Sequence, residues 1–226
     1  GGQTNTFLLW LILMGSNSTG WRGGIPIAVA FLVKPTILPI MAFYWGAQRV
    51  RTNFSFLATL AIFIGIYFAL VPSQMILAEN IDWLNFGSLS CQKHLHQGDN
   101  LGIPSVVAAF WPASSSLIYI WTLIALFAAW LTGRTLGRLD EPLGLALVCW
   151  LLTVFSPMTW MQNYLFLLPL VVWGLRQMMG SPLEPLSCAM FFIYFASTQL
   201  VNFEFVGRHF FEASIHFKLI LWASIL

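Results

Sequence analysis

A single lysine lies inside an otherwise apolar stretch of this sequence. Residues 24–46 contain no other charged side chain, and Lys34 is followed directly by Pro35. In a bilayer a lone ammonium group costs roughly a few kcal/mol, so it needs an anionic partner or access to the headgroups. The partner is either an Asp or Glu from elsewhere in the chain or a lipid phosphate. A lysine fixed in a dry site would stabilise an anion placed beside it.

Amide and carboxylate side chains precede two of the apolar segments. Gln3 and Asn5 stand at the head of the first segment, where they can bond a neighbouring helix or a ligand hydroxyl. Asp99 and Asn100 stand just before a later apolar piece and could reach into a cleft. We interpret these four residues as candidates for the lining of a polar cavity.

A third polar group follows a proline break late in the chain. A helix break at Pro157 with an interfacial Trp160 explains the first part of this segment. It does not explain why Gln162, Asn163 and Tyr164 occupy the first turn of an otherwise apolar helix. Such a cluster of hydrogen-bonding groups could hold a sugar.

The histidine and cysteine spacings do not favour a metal centre or a cofactor. His94 and His96 could bind a metal on an extended segment, but a solvated loop also accounts for both. Cys91, Cys149 and Cys188 form no paired motif, and two of them fall inside apolar runs. We therefore expect neither a metal site nor a cofactor.

The composition indicates a protein that resides in lipid. Hydrophobic residues make up 58% of the 226 residues and charged residues 8%, whereas a soluble domain carries about 25% charged residues. A net charge of +2 does not suggest nucleic acid as a partner. We predict an all-α, polytopic transmembrane bundle in the cell membrane. It would form one domain over residues 1–226, with both natural ends missing and about 7–8 membrane segments.

The order of charges predicts how the chain crosses the membrane. Arg49, Arg51, Arg134, Arg138 and Arg176 can all be cytoplasmic if each intervening apolar run crosses once. The predicted crossings are 54–72, 113–133, 142–155, 160–175 and 185–203, with 104–112 as a short re-entrant or interfacial piece and a further segment beginning near Lys218.

The stretch 24–46 has two possible arrangements. It is either one span with Lys34 near its centre or two short half-helices that turn at Lys34-Pro35. We favour the turn or kink because proline cannot donate a backbone hydrogen bond. The turn also lets Arg22, Arg49 and Arg51 share the cytoplasmic side.

The order of these motifs resembles a known enzyme family. The chain contains G-Q-T-N before an apolar helix, then G-G-I-P-I-A-V-A-F-L-V-K-P-T-I-L-P, then D-N-L-G-I-P-S, and then S-P-M-T-W-M-Q-N-Y-L-F-L-L-P. Together they resemble glycosyltransferase family 87, a family of the polytopic GT-C glycosyltransferases, over most of residues 1–175. Where relatives often place a His after the S-P-x-x-W turn, this sequence has Gln162 and Asn163.

The resemblance implies an enzyme that takes a sugar, often mannose, from a polyprenyl-phosphate carrier. The acceptor would be a lipid or glycan on the outer face of the membrane. Lys34 would lie near the carrier phosphate, and Gln3, Asn5, Trp160 and the polar turn after it would line the cavity. The general base would lie upstream of Gly1, with Asp99 as the alternative. Two other classes stay open, a membrane transporter and a non-catalytic membrane scaffold.

Overall fold

The computed structural model describes residues 2–18, 20–95, 100–110, 116–156 and 161–180, together with residues 212, 218, 221 and 225. Within these ranges the chain forms α-helices and two 3₁₀ segments, which confirms the predicted all-α class. The helices are α1 Gly2–Asn17, α2 Trp21–Val33, α3 Leu38–Gly46, α4 Val50–Leu70, α5 Ser73–Leu95, α6 Ile103–Phe110, α7 Ser116–Leu136, α8 Glu141–Val154 and α9 Leu168–Gly180. The 3₁₀ segments are Pro35–Ile37 and Met161–Leu167.

Among the described residues, two helices are long and apolar enough to cross a membrane. They are α4 and the Tyr119–Leu136 part of α7, and only 17% of the apolar window of each is buried. The core helix of a soluble protein would bury most of such a window, whereas lipid can cover an exposed apolar surface. These two helices therefore give a limited indication of membrane association.

The predicted number of 7–8 membrane segments is not found in the described ranges, which contain two. Helices α2 and α8 have 13 and 14 residues. At 1.5 Å per residue they span only about 20 Å of a core that is about 30 Å thick. Segment 160–175 is divided between the second 3₁₀ segment and α9, and segment 185–203 lies outside the described residues.

The chain reverses direction at Lys34. Helix α2 ends at Val33, Lys34 is extended, and Pro35 opens the 3₁₀ turn before α3. Near the start of α4, Thr52 Oγ1 donates to the Gly20 carbonyl just before α2, and Asn53 Nδ2 donates to the Tyr44 carbonyl near the end of α3, each at 3.3 Å. Both ends of the hairpin therefore lie beside the same residues, as the favoured arrangement requires.

Glycines allow the close approach of α3 and α7. A Cβ added at Gly46 would lie 2.0 Å from the Trp130 carbonyl oxygen, and one at Gly133 would lie 2.0 Å from the Phe43 carbonyl oxygen. Gly137 lies four residues beyond Gly133 and meets Ala47 in the same way. Small residues at this spacing let helix backbones approach each other in membrane proteins. The contact holds the returning half of the hairpin against a membrane-length helix.

The arginines gather at one end of the bundle. Arg49 forms an ion pair with Glu141 at the start of α8, and Arg49 and Arg138 line one cavity. Arg22 and Arg51 line a neighbouring cavity beside Gly20, and Arg176 lines another together with Glu141. We call Arg22, Arg49, Arg51, Arg138 and Arg176 the arginine end. Its assignment to the cytoplasmic side stays a prediction.

The stretch 73–103, between the predicted crossings 54–72 and 113–133, contains more helix than its polarity suggests. Helix α5 covers Ser73–Leu95, so His94 is helical. His94 therefore does not lie on an extended segment, and its pairing with His96 stays a prediction. His96 itself lies outside the described residues. Short α6 matches the predicted piece at 104–112.

Candidate functional site

Three predicted polar residues from three separate segments meet in a hydrogen-bonded chain. Lys34 Nζ donates to Asn5 Oδ1 at 3.2 Å, and Asn5 Nδ2 donates to Asn163 Oδ1 at 2.8 Å. Both asparagines are buried, and Lys34 is half-buried. The first turn of α1, the tip of the α2–α3 hairpin and the second 3₁₀ segment thus each supply one side chain.

This chain of residues is distant from the arginine end. Helix α2 has 13 residues, so Lys34 lies about 20 Å along the hairpin from Arg22. Asn5 lies near the opposite end of α1 from Asn17, which lines a cavity with Arg176. A Lys34 side chain that reaches headgroups would therefore reach those at the end opposite to the arginines.

Lys34 has no acidic partner in the described ranges. The one ion pair found there joins Arg49 to Glu141. The one side-chain hydrogen bond found there for Lys34 goes to the uncharged amide of Asn5, and an ammonium group has three N–H donors. The Lys34 charge is therefore held in place by an amide and has donors left for an anion.

Thr153 supports the same group of residues and was missed by the sequence analysis. Its Oγ1 lies 3.1 Å from the Cys149 carbonyl and 3.2 Å from the Asn163 carbonyl, at the end of α8. Thr153 is the one hydroxyl residue in the apolar run 142–155. A lone hydroxyl group among apolar residues is the sequence feature from which its role could have been predicted. We call Asn5, Lys34, Thr153 and Asn163 the polar layer.

Asn100 and Tyr164 form an adjoining polar group. Tyr164 Oη donates to the Leu101 carbonyl at 3.0 Å, and Ser105 Oγ donates to the Asn100 carbonyl at 2.7 Å. Lys218 Nζ also donates to the Asn100 carbonyl, and this second cation was not predicted as a site residue. Because Tyr164 follows Asn163, residues 100–105 lie beside the polar layer.

The other predicted site residues keep their status as predictions. Gln3 lies in α1 and Gln162 in the second 3₁₀ segment, but their side chains are outside the described part. Asp99 and Trp160 lie wholly outside it. A catalytic base is therefore not assigned.

The polar layer combines the cation of Lys34 with amide and hydroxyl groups. Such a set can bind a molecule that carries both an anionic ester and hydroxyls. Comparison with protein-family models, curated proteins and solved structures gives no match to this chain. The functional argument therefore depends on the motifs and on the geometry around Lys34.

Proposed function

We propose that this chain is part of a polytopic GT-C-type glycosyltransferase of the cell membrane. It transfers a hexose such as mannose from a polyprenyl-phosphate carrier to a lipid or glycan acceptor on the outer face. The observation that carries the proposal is the position of Lys34, a half-buried cation held by Asn5 and without a carboxylate partner in the described ranges. The motif order of residues 1–175 adds the family resemblance.

The carrier phosphate accounts for the charge of Lys34. A cation that is partly removed from water is stabilised by an anion, and a phosphate ester supplies one when the donor binds. Asn5 holds the ammonium group while leaving its charge unneutralised. As the bond between the sugar and the phosphate breaks, negative charge grows on the phosphate, and the fixed cation stabilises it.

The amides of the polar layer account for sugar binding. Asn5 and Asn163 are buried and already orient each other at 2.8 Å. Tyr164 follows Asn163 and bonds the Leu101 carbonyl, so a hydroxyl group and the 100–105 segment adjoin these amides. Groups that are oriented before the ligand arrives lose less entropy when they bind its hydroxyls.

An apolar groove beside the hairpin tip fits the isoprenoid chain of the carrier. The groove has a volume of about 760 Å³ and is lined mainly by apolar side chains of α2 and α4, among them Val33, Phe63 and Ile64. Val33 and Pro35, the two neighbours of Lys34, both line it. A polyprenyl phosphate can therefore place its phosphate at Lys34 and its first isoprene units in this groove.

The reaction is an inverting displacement in this proposal. The acceptor hydroxyl oxygen attacks the anomeric carbon, and the bond from that carbon to the phosphate oxygen breaks. The bonding electron pair leaves with the phosphate beside Lys34, and a carboxylate takes the proton of the hydroxyl. General-base assistance contributes about 100- to 10,000-fold.

The decisive test is Lys34→Met in the complete protein, assayed for transfer from a polyprenyl-phosphate sugar. We expect turnover to fall about 100- to 1,000-fold, as for the loss of one group that stabilises developing charge. Lys93→Met is the matched control, because Lys93 is an exposed lysine on α5. Undiminished turnover of Lys34→Met would remove Lys34 from the mechanism.

Assays of the intact protein also distinguish the two other functional classes, a membrane transporter and a non-catalytic scaffold. A transporter reconstituted in vesicles would move a solute without forming a new glycosidic bond. A scaffold would do neither and would tolerate Lys34→Met. Absence of sugar transfer by the intact protein, with solute movement that depends on Lys34, would favour the transporter.

A further inference from the structure

A second cavity lies at the arginine end, far from the polar layer. It has a volume of about 670 Å³ and lies where α3 ends, α4 begins and α7 runs into its C-terminal turn. Arg49 and Arg138 supply its charged wall. Trp45, Phe54 and Leu57 supply an apolar wall, and these three side chains are largely exposed.

The two walls have the chemistry of a lipid headgroup site. Arginine binds phosphate through parallel N–H donors, and basic pockets between membrane helices bind anionic headgroups. Arg49 is already paired with Glu141, whereas Arg138 has no ion pair in the described ranges. Arg51 lines a smaller cavity that shares Arg49, so positive charge exceeds negative charge around the opening.

The apolar wall distinguishes a lipid from a soluble anion. Phe54 and Leu57 lie three residues apart on α4 and project from the same face, one turn inside the arginines. Trp45, at the end of α3, has the amphipathic ring that favours the boundary between headgroups and acyl chains. A soluble phosphate would use the arginines alone, whereas a glycerophospholipid would use both walls.

We infer that this cavity binds an anionic glycerophospholipid, with its phosphate at Arg138 and its acyl chains along Phe54 and Leu57. The bound lipid fixes the junction of α3, α4 and α7 from the side opposite to the polar layer. This inference rests on membrane embedding and not on sugar transfer, so the two can fail independently.

The experiment measures lipid binding to the purified complete protein by native mass spectrometry at 0.15 M salt. The probes are phosphatidylglycerol and phosphatidylcholine with identical acyl chains. We expect Arg138→Gln to weaken phosphatidylglycerol binding about tenfold, as for the loss of one charge-assisted bond. Arg134→Gln is the matched control, since Arg134 lies four residues earlier, in the last turn of α7, over the Trp130 ring at 5.5 Å, and does not line the cavity. It should change binding by about twofold or less because diffuse attraction is screened at this salt.

Three results would overturn the inference. Phosphatidylcholine could bind as tightly as phosphatidylglycerol, which would remove the role of headgroup charge. The two arginine variants could weaken binding equally, which would indicate diffuse attraction in place of a site. Glycerol 3-phosphate could displace the lipid at concentrations near the lipid's own, which would assign the cavity to a soluble anion.

Discussion

Asn5 accepts a hydrogen bond from Lys34 across 29 residues of sequence, at 3.2 Å. The bond is neutral on the asparagine side, so it fixes the ammonium group without cancelling its charge. Asn5 is itself held by Asn163 at 2.8 Å. Lys34 is thereby positioned in the absence of any ligand, as electrostatic stabilisation of a leaving group requires.

Because Asn5 holds the Lys34 ammonium group, substitutions of Asn5 test whether the charge of Lys34 serves donor binding or only the stability of the fold. In Asn5→Asp the new carboxylate would pair with Lys34, and the Asn163 amide can turn over to donate to it. We expect a folded protein whose KM for the polyprenyl-phosphate donor rises about tenfold or more, because a neutralised lysine attracts phosphate less. Steady-state kinetics with varied donor checks this.

The control for this change is Asn5→Leu, which breaks both hydrogen bonds and leaves the charge of Lys34 in place. It should lower the free energy of unfolding by about 1–3 kcal/mol, because Asn163 loses a buried partner. If Asn5→Asp binds donor as well as the native protein does, the charge of Lys34 has no part in binding.

The turn at Lys34 could be predicted because its causes are local. Pro35 cannot donate a backbone hydrogen bond, and the charge of Lys34 disfavours a position at the centre of a bilayer. The grouping of the arginines at one end could also be predicted, because it follows from alternating apolar runs and basic loops. Both features depend on neighbours in the sequence.

The contact between Asn5 and Asn163 could not be predicted in the same way. The two residues are 158 positions apart, and their meeting depends on how α1 and the second 3₁₀ segment pack. The sequence motifs predicted that Asn5 and Asn163 each belong to a polar group, but they did not predict that the two side chains bond each other. The bounds of α8 were predicted to within one residue, but a helix of 14 residues is shorter than the hydrocarbon core, so the prediction that 142–155 crosses it is not supported.

Glycine substitutions test the packing of α3 against α7. Gly133→Ala places a methyl group 2.0 Å from the Phe43 carbonyl oxygen, so the helices must separate. We expect a loss of about 1–3 kcal/mol in stability. Gly65→Ala on α4 is the matched control, because a Cβ there meets nothing within 4 Å, and it should stabilise by about 0.5–1 kcal/mol. Thermal unfolding in detergent compares the two, and equal midpoints would contradict the close approach.

Cysteine labelling tests the orientation of the bundle. The test uses a background without native cysteines. Leu139, which is 84% exposed, lies in the turn after α7 next to Arg138 and is replaced by cysteine in one variant. Asp82→Cys lies on the exposed surface of α5. We expect a membrane-impermeant maleimide to label Asp82→Cys in intact cells and Leu139→Cys only after the membrane is opened. Labelling of both from the same side would contradict the proposed topology.

Filling the groove beside the hairpin tip tests whether it holds the carrier chain. Ile64 lines the groove, and Ile64→Trp would occupy space that the isoprenoid chain needs. We expect KM to rise about tenfold for a long polyprenyl carrier and much less for a carrier of one or two isoprene units, whose burial contributes less free energy. Ile62→Trp is the matched control, since Ile62 is 62% exposed on the same helix and does not line the groove. If both tryptophans have the same effect on both carriers, the isoprenoid chain lies elsewhere and the groove has no part in donor binding.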